Sequence, residues 1–407
     1  MKTFRLKLSI TLVFICFVTF GGFAQIAEKI ETTTENQLLG LGTYHTLKSG
    51  ILNEDRPVII YLPNEYKENS ENYPVLYLLD GLGNIKHQVG TMELLTESGI
   101  IPPMIIVAIE SLNRSRDLTP SKAGGDVYGG VSGAGIPQSG GAPKFLDFME
   151  KELMPYVETN FRTHPFRLLE GHSFGGLFTT FAMMERPSLF DTYIVQSPAL
   201  WWNKEEMTQK AKGFFSKDAS FNKTAYFGIG GGDGWGMRQE LIHFVDVLKQ
   251  SAPDDFKWMH EEIGDEGHDD ARLLLNYYGL KFVFNNLKLS KETLTNFTEE
   301  GFLKDELTLK KKYGNKVRRP AGDYFDLFSK LMDEGKDLEA ITVLKRAAEA
   351  YPKYAVLQKT LAQLYEKTNQ IGEAIAALEQ AILISKKLRL GQEDGYQMEI
   401  DRLKKTK

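Results

Sequence analysis

Gly171-His172-Ser173-Phe174-Gly175 form a G-x-S-x-G motif between a short apolar run and an apolar, helix-compatible one. A strand turning sharply into a helix would hold Ser173 at a strained apex, its hydroxyl exposed to a carbonyl carbon. Such a turn leaves no room for side chains at 171 and 175, a need that glycine meets. The Phe174 amide would point at the oxygen that becomes negative on attack, making it one candidate oxyanion donor. Composition alone produces such a motif in roughly one chain of this length in five, so context decides its weight.

A serine hydroxyl needs a base within reach, and the base needs a carboxylate to orient it. On a layered strand–helix fold the chain order is serine, acid, histidine. Only His243, His260 and His268 follow Ser173. His243 falls in a helical pattern, and His260 in the strand-like alternation Phe256, Trp258, His260, Glu262. His268 lies just past that strand, where sheet enzymes place reactive groups, and is the expected base. Asp233, closing Gly230-Gly231-Gly232-Asp233 after the preceding strand, is the expected acid, with Glu240 in reserve; an ordinary turn aspartate is the alternative. One histidine among carboxylates lacks a zinc ligand set, so no metal is expected.

The second oxyanion donor is expected from the Leu82 amide, in Leu78-Leu79-Asp80-Gly81-Leu82-Gly83, with Asp80 bracing that loop. Arg116 (in the stretch Asn113–Pro120), Trp201 and Trp202 are candidate substrate contacts, although paired tryptophans equally suit a core. The glycine-rich stretch 123–143 fits either a flap over the site or a surface loop. No G-x-G-x-x-G or Walker pattern supports nucleotide chemistry.

These residues need a scaffold to bring them together. Strands are predicted at Thr43–Lys48, Pro57–Leu62, Val75–Leu79, Met104–Ile109, Arg167–Glu170, Thr192–Gln196, Ala225–Ile229 and Lys257–Ile263. Several are continuous and β-branched, as buried parallel strands are. Helices fit Phe145–Asn160, Gly176–Arg186 and Met237–Gln250, giving an α/β fold with a mostly parallel central sheet flanked by helices. The first two strands are expected as an antiparallel hairpin at one edge.

The ends differ from the middle. Lys2, Arg5 and Lys7 precede an apolar run from Leu8 to Phe20, and Gly22-Phe23-Ala24 supplies small residues for cleavage. This predicts a signal peptide over 1–24 and an exported chain, periplasmic or extracellular, with no membrane association after cleavage. The mature net charge would be −5 − 3 = −8. The single cysteine, Cys16, would leave with the signal, so neither disulfides nor cysteine-held metals are expected. An acidic chain without a basic patch argues against nucleic acid as a partner.

The hydrolytic machinery would occupy 25–290, followed by a charged helical linker at 291–320. Beyond Arg319-Pro320, Phe328 and Ala362, Ala340 and Ala374, and Leu344 and Leu378 are each 34 residues apart. That period resembles tetratricopeptide repeats, giving a small all-α helical-repeat region at 321–385 and a charged C-terminal tail at 386–407. The repeats could recruit a protein partner or cap the larger domain.

The run Val75–Gly81, the Asn113–Pro120 segment, Phe145-x-x-Phe148-x-x-Lys151-Glu152-Leu153-x-Pro155, Gly171–Gly176 and Ser197-Pro198-x-x-Trp201-Trp202 occur in consistent order. Together they resemble the putative-esterase family of α/β-hydrolases, which includes S-formylglutathione hydrolases, enterochelin-type siderophore esterases, feruloyl and acetyl-xylan esterases and secreted mycolyltransferases. The resemblance implies an α/β-hydrolase fold with Ser173 as nucleophile, His268 as base, an acid that varies between Asp and Glu, and an oxyanion hole at Leu82 and Phe174. It also implies a serine ester hydrolase that needs no cofactor and acts on a small-molecule or glycan-linked ester. Two alternatives remain: an inactive hydrolase fold serving as a binding platform, and acyl transfer to an alcohol.

Overall fold

The computed structural model describes residues 41–124, 126–128, 131–132, 136, 138–234 and 236–405. The expected signal segment 1–24 and parts of 123–143 lie outside them. From His45 onward the chain forms one compact unit.

Among the described residues there are ten strands: β1 (Thr43–Ser49), β2 (Glu54–Tyr61), β3 (Tyr73–Leu79), β4 (Ile105–Ile109), β5 (Asp126–Tyr128), β6 (Val131–Ser132), β7 (Thr163–His172), β8 (Thr192–Gln196), β9 (Thr224–Gly230) and β10 (Lys257–Ile263). Eight make one sheet in the order β1-β2-β4-β3-β7-β8-β9-β10, while β5 and β6 pair separately. From β4 to β10 all neighbours in that sheet run parallel, and β2 lies antiparallel to β4. β1 and β2 occupy the expected edge. Every residue of β3 and β4 is buried, because helices cover both faces; this is why their sequences read as continuous apolar runs rather than alternations.

One face of the sheet presents Val75, Tyr77, Val107, Leu169, Tyr193, Val195 and Phe227 to a core shared with Phe145, Phe178, Trp202 and Phe244. On the opposite face pack the helices Gly81–Glu97 and Arg272–Val283, which touch each other. Strand order reverses between β3 and β7, so their C-terminal ends open a crevice at the switch point.

Beyond the sheet, the helices Lys291–Thr295 and Glu299–Tyr313 occupy the predicted linker. Tyr313 is buried against Phe166, with ring centres 4.8 Å apart, and against Phe284 at 5.4 Å, so this segment is packed onto the sheet domain. Helices Ala321–Asp333, Asp337–Ala350, Ala355–Lys367 and Ile371–Leu388 then stack in sequence. Ala340, Leu344, Ala362, Ala374 and Leu378, the residues that carry the 34-residue spacing, lie in their shared core. The expected charged tail at 386–407 is instead closed by the helix Glu393–Lys405, with Tyr396, Ile400 and Leu403 buried. Its charges mask an apolar stripe at helical spacing.

The repeats dock firmly on the sheet domain. Arg318 donates to the carbonyls of Thr96 and Ala350, and Tyr351 Oη donates to Arg319 O at 2.6 Å. Gly99, at φ +70°, lies so close that a Cβ there would stand 2.1 Å from Tyr351 Oη. Among the described residues no helix is long and apolar enough to cross a membrane.

Candidate active site

Ser173 sits between β7 and the helix Phe174–Glu185 with φ 60° and ψ −118°, a conformation that costs a non-glycine residue of order 1–3 kcal/mol. Its surroundings hold it there: Ser173 N–H donates to Gln196 O at 3.0 Å, and Ser173 O accepts from the amides of Leu177 and Ala199. A Cβ on Gly171 would meet Gly175 O at 2.3 Å, as the motif requires. At 175, however, a Cβ would make ordinary contacts of 3.4 Å and longer. The second tight glycine is Gly176, whose Cβ would approach Gln196 O at 2.8 Å and Pro198 Cα at 2.9 Å. It is the contact of the helix with the β8 loop, not the turn itself, that sets this requirement.

Ser173 and His268 line one cavity of about 400 Å³ together with Asp80, Gly83, Asn84, Glu110, Ser111, Arg114, His172, Asp269 and Arg272. His268 Nδ1 lies 3.1 and 3.0 Å from the two carboxylate oxygens of Asp233, which is buried while the imidazole is partly exposed. An Nδ1–H donating to that carboxylate leaves Nε2 free to face a hydroxyl. No hydrogen bond between Ser173 Oγ and the imidazole is present among the described residues; such contacts commonly tighten only with substrate.

The loops that carry Asp233 and His268 are knitted by backbone. Gly231 N–H donates to Ile263 O and Gly232 N–H to Glu266 O. A Cβ on Gly230, Gly231 or Gly232 would come within 2.1, 1.9 and 2.6 Å of carbonyl oxygens of Glu266, Gly264 and Asp265. The glycine cluster therefore lets two loops touch main chain to main chain. Glu240 is buried on the helix Met237–Ser251, its carboxyl pushed up by desolvation, and makes no hydrogen bond to His268. His243 bonds Glu205 on the surface, and His260 stands on β10.

His172 contributes more than a motif spacer. Its Nε2 lies 2.7 Å from His268 O, and the two rings meet with centres 4.5 Å apart and planes inclined at 45°. Burial first, and then the neighbouring His268, push the His172 pKa down to about 3, so the ring is neutral and its Nε2–H donates to that carbonyl. It anchors the main chain of the candidate base.

The helix Arg114–Leu118 divides its two arginines. Arg114 lines the cavity, donates through Nε and Nη2 to both carboxylate oxygens of Asp80 (2.7 and 2.9 Å), and reaches His172 O at 3.2 Å. Arg116, the expected substrate contact, is instead committed to Glu54 and Asp117 in a network with fully buried Arg56. It props the loop rather than facing the cavity, since residues two apart on a helix point different ways. Trp202, also expected to contact substrate, is instead completely buried, its ring edge-on to Phe174 at 5.6 Å. Trp201 packs half-buried against Phe174 at 5.8 Å, and neither tryptophan lines the cavity. Of the two expected oxyanion amides, that of Phe174 lies at the first turn after Ser173 and that of Leu82 at the start of the helix Gly81–Glu97. Leu82 N–H, however, already donates to Glu110 Oε2 at 2.8 Å.

Beneath the site, Glu170 on β7 is fully buried and accepts from Gln196 Nε2 at 2.6 Å, while its other oxygen has no hydrogen-bond partner among the described residues. Desolvation raises its pKa to about 8. An unfolded glutamate ionises near 4.3, so the folded state retains this proton over the interval between the two values. Its contribution to stability is complete below the unfolded value and is lost as pH rises through about 8. Glu170→Gln should therefore remove part of the fall in melting temperature between pH 5 and pH 9, a gain of several degrees at the alkaline end. Parallel melting curves of the two proteins across that range would argue against a buried neutral acid.

The sequence profile of the family described as "Putative esterase" matches residues 49–269, and a tetratricopeptide-repeat profile matches residues 331–387. Ferri-bacillibactin esterase BesA of Bacillus subtilis (strain 168) is 34% identical over 155 residues, 35% of this chain and 54% of that protein. The siderophore enterobactin esterase of Emericella nidulans is 38% identical over 119 residues, 28% of this chain and 39% of that protein. The chain thus spans about half, or less, of the length of these curated relatives. Among solved structures, an IroE-like serine hydrolase from Shewanella oneidensis aligns with a TM-score of 0.61 at 26% identity, covering 75% of this chain and 99% of that one.

Proposed function

The chain belongs to the putative-esterase family, and from that premise we propose that it is an exported serine ester hydrolase whose substrate is a siderophore or carbohydrate-linked ester. One observation carries the reading: a strained serine shares a cavity with an imidazole whose far nitrogen is held by a buried carboxylate. The siderophore esterases among its relatives favour the siderophore ester of the two. Export rests on the character of residues 1–24.

In the proposed reaction Ser173 Oγ attacks the ester carbonyl while His268 Nε2 takes the hydroxyl proton. Amides of Phe174 and Leu82 receive the oxyanion, and Asp233 steadies the imidazolium formed. Collapse of the tetrahedral intermediate breaks the bond to the leaving oxygen, which receives the proton from His268. Water, deprotonated by the same imidazole, then attacks the acyl-enzyme and returns the serine hydroxyl. No group outside the chain is required.

A fluorophosphonate probe should label the native protein once, on the peptide containing Ser173. Labelling elsewhere, or none at all by folded protein, would refute the nucleophile and favour a fold kept for binding.

A further inference from the structure

A second cavity, of about 270 Å³, lies where the repeats meet the sheet domain, and it shares no lining residue with the one that holds Ser173. Its walls come from both sides of that junction: the last turns of the helix Gly81–Glu97 on one, and Arg318 with residues 351–354 on the other. Ligand sites favour such interfaces and start near about 300 Å³, so one of this size suits a small metabolite.

The charges around it are only partly paired. Lys316 meets Glu65 at 3.4 Å, and Glu93 accepts from Tyr61 Oη at 2.9 Å but meets no cation among the described residues. Arg318 directs its donors to the carbonyls of Ala350, Thr96 and Glu97, and likewise meets no carboxylate there. Lys353 and Glu97 are exposed, and among the described residues their side chains make no hydrogen bond or ion pair. Two cations without carboxylates therefore share the cavity with two carboxylates without cations. Because Arg318 Nη2 bonds the Thr96 and Glu97 carbonyls, the two signs meet within one helical turn. A ligand carrying one charge would leave one set unmatched, whereas an ammonium and a carboxylate on neighbouring atoms would answer both. Thr96 Oγ1, buried on the same turn without a partner among the described residues, adds a further polar contact. The rest of the wall is apolar. Tyr351 and Tyr354 lie with ring centres 5.5 Å apart and planes inclined at 31°, and Met92 and Met104 are buried beside the cavity. Tyrosine rings and thioethers both favour an aromatic partner.

We propose that this junction binds a free aromatic α-amino acid, its carboxylate toward Arg318 and Lys353, its ammonium toward Glu93 and Glu97, and its ring against Tyr351, Tyr354 and the two methionines. The site does not depend on the Ser173 reading and gives the protein a second ligand. A molecule held by residues of both domains binds only while they are joined, so its presence raises the melting temperature.

The test follows L-phenylalanine and the full chain by equilibrium dialysis and thermal melting. Saturable binding of one molecule per chain, with a higher melting temperature, is expected; no saturation below about 10 mM would overturn the proposal. Four analogues each remove one feature: 3-phenylpropionate lacks the ammonium, phenethylamine the carboxylate, and L-leucine the ring, while L-alanyl-L-phenylalanine sets the charges farther apart. Each should bind about tenfold more weakly, the scale of one hydrogen bond to a charged group or one aromatic contact. Equal or tighter binding by any of them would overturn the assignment to an aromatic α-amino acid. Lys353→Ala and Glu97→Gln should each weaken L-phenylalanine by about as much, and neither exposed side chain has a partner among the described residues whose loss would unsettle the fold. Unchanged affinity in both variants would put the ligand elsewhere and overturn the site. Loss of the Ser173 chemistry would leave every one of these results standing.

Discussion

Ser173→Ala is expected to lower kcat on a short p-nitrophenyl ester by about 10⁶-fold, the scale seen when a nucleophile is removed from a cooperating triad. Alanine retains the Cβ, so the strained φ of 60° persists and the fold has no reason to change. Thermal melting of the variant should match that of the native protein. The loss isolates the hydroxyl, because the backbone contacts of residue 173 to Gln196, Leu177 and Ala199 do not involve the side chain. Asp233→Asn should cost less, about 10⁴-fold, since it spoils the tautomer of His268 without removing a reacting group. Turnover by Ser173→Ala within tenfold of native would remove the basis for the assigned chemistry.

A second large effect should come from a residue that never meets substrate. Gly231→Ala places a methyl 1.9 Å from Gly264 O, and backbone cannot yield as a flexible side chain would. The loops bearing Asp233 and His268 must part, and a displacement near 1 Å at a reacting group can cost about 10²-fold. The expected signature is a kcat lowered about a hundredfold, with a smaller change in KM and a modest drop in melting temperature. Gly234→Ala provides the control, because a Cβ there meets nothing within 4 Å. Native kcat in Gly231→Ala would mean that the loops slide apart without disturbing the carboxylate–imidazole contact.

Much of this arrangement is legible in the chain. Buried parallel strands such as Ile105–Ile109 announce themselves as unbroken β-branched runs, and β8 and β10 begin and end where their pattern does. Chain order and strand ends bring Ser173, Asp233 and His268 to one rim without knowledge of any contact. What stays hidden is direction. Arg114 and Arg116 are interchangeable as text, yet only the first turns toward the cavity. Trp201 and Trp202 follow the right strand but point into the core, because Phe174 covers them. The helix Gly81–Glu97 escapes notice because glycines at 81, 83 and 90 and buried polar residues such as Asn84 and Gln88 dilute its apolar face. Glu110 and His172 meet backbone partners distant in sequence, Leu82 and His268, which residue types cannot specify.

The docking of Arg318 and Tyr351 has a practical consequence. The helix that opens with the Leu82 amide closes at Glu97, and its terminal carbonyls from Thr96 onward are satisfied by a side chain from the far side of the junction. Expressing the sheet domain by itself would strip that clamp and leave Gly99 facing water where Tyr351 had pressed against it. The repeats are thus a splint on the scaffold that carries Ser173 and His268, and severing them is no neutral truncation.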